Sequence, residues 1–175
     1  MRNFSKIFLI AGTILFLSAC GSTPDTEIHY FVLNPNQSTV SNTDLSSQSI
    51  TLLPIQLAKF LDQPGIVLQT DQHEINVAHY HRWAEPLKNN LHRYISQSIG
   101  SNATNETSQT LEIHIQEFQG AADGTALLSG YWLSENKKQI FQYQAPLNTT
   151  GYTELVRQLA LLLDQLSADI ITKIK

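Results

Sequence analysis

Cysteine is almost absent from this 175-residue chain, with Cys20 the only one. A single thiol cannot close an internal disulfide, so no covalent staple supports the fold. Charge is sparse too, at 15% of residues, and it is not basic: 11 Lys and Arg stand against 15 Asp and Glu. That balance argues against a nucleic-acid ligand, which calls for a basic patch, and against a polybasic segment held to anionic lipid. No apolar run reaches the roughly 20 residues that a membrane-spanning helix needs. A Gly-x-Ser-x-Gly elbow, a glycine-rich phosphate loop and a Ser-x-x-Lys pair are all missing. What is plentiful is apolar side chain, 42% of the total. That suffices for one core in a chain of single-domain length.

The apolar run from Ile7 to Ala19 is 13 residues long, interrupted by Gly12, Thr13 and Ser18. Arg2 and Lys6 precede it, and no acid appears before Asp25. This is the pattern of a secretory leader. Leu17, Ser18, Ala19 and Cys20 resemble the lipobox of bacterial lipoproteins, in which the leader is cut before the cysteine and the thiol and new amine are acylated. Nothing near Cys20 would lower its thiol pKa, so a reactive role has no support. The resemblance implies a leader at 1–19, a lipidated tether at 20–26 and a folded domain at 27–175. Loss of the leader removes Arg2 and Lys6 and takes the formal charge from -4 to -6. The six residues between Cys20 and Glu27 reach at most about 20 Å when extended. The domain must therefore stay close to the bilayer.

Downstream, "IHYFVL" (28–33) reads as a strand and the Asn/Ser/Thr/Pro-rich stretch 34–48 as a loop. "ITLLPIQL" (50–57) is apolar enough for a buried strand, with Pro54 marking an edge, a bulge or the strand's end. "AKFLDQPG" is a turn, followed by strands "IVLQT" and "EINVAHYHRW" around the polar "DQH". Residues 84–100 form a helix with Pro86 in its first turn, Gly100 at its end and a stripe of Leu87, Leu91, Ile95 and Ile99. From Thr110 the period becomes two, with Leu111, Ile113 and Ile115 alternating with Glu112, His114 and Gln116. "TALLSGYWLS" and "KQIFQYQAPL" make a hairpin about "ENKK", and a long amphipathic helix closes the chain. The pattern predicts a single-domain α/β sandwich, a mixed sheet with two main amphipathic helices.

Candidate chemistry is thin. His29, His73, His79, His81, His92 and His114 invite a metal, and His79 and His81 share one face of a strand. A zinc site would need further ligands and a second shell, which no cysteine or Glu-x-x-His supplies. Solvent-facing strand histidines are the better reading. Glu112 and Glu117 are separated by an odd number, which puts them on opposite faces of their strand, unfit for paired carboxylate catalysis. Trp83 is read as packing between sheet and first helix, with a partner contact as the alternative, and Glu85, Pro86 and Leu87 as starting that helix. The turn at Phe60 and Leu61 is either a cap over the sheet end or an exposed contact for a protein or an acyl chain. Phe60, Leu61 and Arg82 are the candidate partner contacts.

Several of these stretches together resemble the ABC-type transport auxiliary lipoproteins, the paraquat-inducible protein C or YmbA-like family. They are the lipobox, "HYFVL" (29–33), "LLPIQLAKFLDQPGIVLQT" (52–70), "RWAEPL" (82–87), the alternating strand 111–118 and the C-terminal helix. "RWAEPL" is the most specific. The resemblance implies a fold similar to the TolB N-terminal domain and a non-enzymatic role in moving phospholipid between inner and outer membranes. It implies a periplasmic MCE-type tunnel protein as partner, an outer-membrane anchor, a homo-oligomer that can be a ring, and no cofactor beyond the covalent lipid on Cys20. Gly21, standing where an Asp would retain the protein at the inner membrane, implies release to the outer one. A stand-alone binding module for a soluble or cell-wall ligand is the alternative from another class, and a periplasmic hydrolase is a third. Cys20→Ser is expected to leave an unprocessed or soluble form, which mass spectrometry of the N-terminus detects. An intact leader on the wild-type protein would refute the lipobox.

Overall fold

The computed structural model describes residues 27–35, 50–100, 109–135 and 137–174. Cys20, the leader and the tether lie outside the described residues, as do most of the 34–48 and 101–109 loops. The described chain gives strands β1 (His29–Phe31), β2 (Ile50–Leu52), β3 (Gln56–Leu57), β4 (Gly65–Asp71) and β5 (Glu74–Trp83). Helix α1 (Leu87–Ile99), strands β6 (Gln109–Ala121), β7 (Thr125–Ser134) and β8 (Lys137–Pro146), and helix α2 (Tyr152–Lys173) follow. The eight strands form one mixed sheet with the path β1-β5-β4-β6-β7-β8, and β2 and β3 also pair with β6.

Strand β6 carries the sheet. One edge is antiparallel to β7 along most of its length. The other edge is shared in parallel by three segments: β2 at its start (Leu52 opposite Leu111), β3 at its middle (Leu57 opposite Ile115) and β4 at its end (Leu68 opposite Gly120). The stretch expected as one strand from 50 to 57 is thus two, broken around Pro54, which has no N–H to donate. Leu53 N–H and Ala58 N–H each donate to β6 carbonyls at 2.9 Å, keeping the path on course.

A bulge lies between the pairs Ile115–Gly130 and Glu117–Ser129. Before it Leu111, Ile113 and Ile115 are buried, and after it Phe118 and Gly120 are. An extra residue in one strand inverts its alternation. Glu112 and Glu117 therefore share a face, correcting the expectation from their odd spacing. They still do not act as a pair: Glu112 lies 2.6 Å from the His114 ring, and Glu117 accepts from the Ser129 hydroxyl. Opposite the bulge stands Gly130, where a Cβ would sit 2.0 Å from the His114 backbone oxygen.

Both helices cover one face of the sheet. Helix α1 buries Leu87, Leu91, Tyr94, Ile95 and Ile99 and ends on Gly100 in the left-handed conformation (φ 65°). Pro86 stands at the N-cap, one residue before the first turn where the sequence placed it. Helix α2, about 33 Å long at 1.5 Å per residue, buries Leu155, Leu159, Leu162, Leu163, Leu166 and Ile170 over β6, β7 and β8. Glu154 in its first turn and Lys173 in its last both suit the macrodipole. The expected α/β sandwich is the architecture found.

Two tyrosines fasten the helix layer. The Tyr94 hydroxyl donates to Asp164 Oδ1 at 2.7 Å, joining the helices, and Tyr143 on β8 donates to Asp169 Oδ2 at 2.6 Å. Burial pushes both phenols well above their ordinary value near 10, and the carboxylate beside each pushes further. With folded pKa values raised, this stabilisation is complete below about pH 10, where both states hold their protons. It is lost as pH rises further, because the unfolded chain ionises first. Tyr94→Phe with Tyr143→Phe is expected to flatten the alkaline fall of unfolding free energy in urea titrations. At neutral pH the pair should cost about 1.5–3 kcal/mol per bond lost.

Candidate partner-binding cleft

The turn after β3 is a single 3-10 turn at Lys59–Leu61, closed by Leu61 N–H to Ala58 O (2.9 Å) and Asp62 N–H to Lys59 O (3.3 Å). Its tight pitch sends Leu61 inward, where it is 1% exposed. Phe60 is half-buried against the core. The expectation of an exposed Phe60–Leu61 contact pair fails for Leu61, which serves as core. What the turn offers to solvent is Lys59, Asp62 and Pro64.

The chain then enters β4 at Gly65, where a Cβ would stand 2.5 Å from the Ala78 oxygen, so only glycine lets β4 and β5 approach. Pro64 O accepts from Trp83 N–H at 2.7 Å, and Phe31 O accepts from Ala84 N–H at 2.9 Å. The segment "RWAEPL" is thereby clamped between the turn and β1. Trp83 is 4% exposed, its ring 5.9 Å from that of Phe118. Leu87 is buried as the first residue of α1. Glu85 does more than precede the helix, since it pairs with Arg93 one face further on.

Arg93 also donates to Asn90 Oδ1 at 3.0 Å, and that same oxygen accepts from Leu33 N–H at 3.3 Å. Asn90 is fully buried and ties the end of β1 to α1. Sequence reading passed over it. Its signal was a polar residue at a stripe position, three after Leu87 and one before Leu91, where an apolar side chain was due.

Asp62, Gln63 and Pro64 from the turn and Trp83 to Leu87 from the helix start line one open cleft of about 370 Å³. This is near the lower end of small-ligand sites. It can hold one or two side chains of a protein segment. Its wall is acidic and proline-rich, with Asp62 3.9 Å from Lys88. The other carboxylate, Glu85, is held by Arg93. Arg82, the third expected contact, does not line the cleft. Its Nε donates to His79 O at 2.7 Å, and it projects from the opposite sheet face beside Tyr30.

The histidines also depart from expectation in part. His79 is exposed, but His81 stacks on Tyr152 of α2 at 3.9 Å and on His29 at 5.3 Å. Burial, then the charge of His29, lowers the His81 pKa. Among the described residues, no group of three or more His, Cys, Asp or Glu side chains is arranged to hold a metal.

A family model described as "ABC-type transport auxiliary lipoprotein component" matches residues 31–171. Two curated relatives, each called intermembrane transport lipoprotein PqiC, come from Escherichia coli (strain K12) and Shigella flexneri. Each is 25% identical over 183 aligned positions, covering 97% of this chain and 98% of the relative. The crystal structure of an uncharacterised protein superposes with a TM-score of 0.76 at 23% identity, covering 85% of this chain and 99% of the other. A Xanthomonas campestris protein superposes with a TM-score of 0.62 at 17% identity, covering 82% and 92%. These two structures speak to the fold.

The cleft depends on β1 staying in place, and Asn90 is the side chain that holds it from α1. Asn90→Leu keeps the number of side-chain heavy atoms but strands the buried Leu33 N–H, at a cost of about 1–3 kcal/mol. Faster amide exchange is expected at Leu33 and Ala84, with the middle of β6 little changed. Unaltered exchange at Leu33 would mean that the bond carries nothing.

Proposed function

The chain belongs to the ABC-type transport auxiliary lipoprotein component family, and from that premise we propose that it is a lipid-anchored docking subunit of an intermembrane phospholipid transport system. Its partner is the end of a periplasmic MCE-type tunnel protein, and its anchor is the acylated Cys20 in the outer membrane. It performs no catalysis; it holds a larger assembly at the bilayer. The observation that carries this reading is the meeting of the "LDQPG" turn and the "RWAEPL" helix start in one open cleft. The two segments lie some 20 residues apart, and backbone hydrogen bonds clamp each of them in place.

The cleft also lies close to the anchor. β1 pairs in parallel with β5 from His29 opposite His81 to Phe31 opposite Trp83. Three residues of strand, about 10 Å, thus separate the point where the tether joins the fold from the cleft wall. A tether of at most about 20 Å then keeps the cleft near the membrane, so the partner must come to it. Several copies in a ring would multiply weak contacts at such a tip.

Asp62 and Gln63 are on the rim, and the core takes no support from Asp62. Asp62→Arg together with Gln63→Arg is expected to weaken recovery of the MCE-type partner from crosslinked membranes by tenfold or more. The melting temperature should stay within a few degrees of wild type. Undiminished recovery with a folded double variant would place the docking surface elsewhere.

A further inference from the structure

Four apolar or aromatic side chains form an exposed strip at the start of the fold: Ile28 (37% exposed), Tyr30 (63%), Val32 (42%) and Tyr80 (40%). Alternation along β1 and its flanking residues puts Ile28, Tyr30 and Val32 on one face. Tyr30 stands opposite Arg82 in a parallel register that runs from His29 opposite His81 to Phe31 opposite Trp83, and Tyr80 directly precedes that register in β5. The alternate residues His29, Phe31, His81 and Trp83 turn to the helix side, where His81 meets Tyr152 and Trp83 enters the core. The strip therefore looks away from the helices. It sits at the sheet's edge, because among the described residues β1 has β5 alone as neighbour.

Composition and chain length select the occupant. Two tyrosines, apolar in body and polar at the tip, accompany two β-branched aliphatics, a set suited to the boundary between headgroups and acyl chains. The charge next to Tyr30 on this face is Arg82, a cation that suits lipid phosphate. Eight residues lead from Cys20 to Ile28, a reach of roughly 28 Å at most. The 13-residue strand β6 alone is about 43 Å long. An anchor this short leaves the β1 edge as the apolar surface nearest the bilayer. We propose that this strip is the face on which the anchored domain sits against the membrane. The proposal rests on the reading of Cys20 as acylated. The acyl chains supply the attachment, and the strip sets the orientation, turning the cleft at the end of β5 the same way in every copy.

The test uses full-length, processed protein in vesicles of phosphatidylethanolamine and phosphatidylglycerol. With the one native cysteine acylated, an introduced cysteine is a unique labelling point. Tyr30→Cys and Tyr80→Cys carry a nitroxide in the strip, and Ile140→Cys carries one on the far edge strand, 72% exposed. Labels at 30 and 80 are expected to be open to oxygen and shielded from an aqueous nickel quencher several-fold more than the label at 140. Equal nickel access at 30 and 140, on protein that floats with the vesicles, overturns the proposal. Dipolar broadening between labels at 30 that grows with protein per vesicle assigns the strip to a second copy and overturns it too. Failure to float refutes the acylated anchor, and the seating face falls with it.

Discussion

The fold depends on how the two hydrogen-bonding edges of β6 are divided. A strand has two edges, and here one is filled by β7 while the other is parcelled among β2, β3 and β4. The 13-residue length makes this possible, since no shorter strand could serve three partners in file. Each of these partners arrives from at least 50 residues earlier in the chain. Parallel, non-local pairing of this kind yields nothing until long loops have closed, so the sheet assembles late and together. The bulge and Gly130 belong to the same constraint: they shift the alternation of β6 while β7 stays paired along it.

From that spine the cleft follows without side-chain chemistry of its own. Because β4 ends on β6, its start at Gly65 is fixed, and with it Pro64, whose carbonyl holds Trp83. Trp83 in turn closes the core over Phe118. The polar parts, Glu85 with Arg93 and Asn90, tie the start of α1 to its second turn and to the residues after β1. The cleft's shape is set largely by backbone placement, with Asp62 and Glu85 as its charged wall.

Most of the architecture was legible in periodicity. The hairpin of β7 and β8 and the two helices stand where alternation and the 3.6-residue stripe put them, because one face of each is more buried than the other. The strand 74–83 stands where its composition put it. The failures share a cause: each turns on a local irregularity that periodicity averages over. One inserted residue at Gln116 reversed the faces of Glu112 and Glu117. One 3-10 turn rotated Leu61 into the core while leaving its neighbour Phe60 half-buried. His81 looked like a surface residue because its stacking partner, Tyr152, is 71 positions away. Asn90 looked like an ordinary helix residue because the N–H it satisfies belongs to Leu33.

The orientation of β1 has a mechanical consequence. β1 runs parallel to β5, and its far end is held by the Ala84 to Phe31 and Leu33 to Asn90 bonds. Tension applied to the chain before Glu27, along the strand, loads these bonds in shear, all at once, rather than peeling them one by one. A three-residue strand that would unzip under a sideways pull can thus bear an axial one. The edge that looks weakest in the sheet is the one oriented to carry force along the chain that enters it.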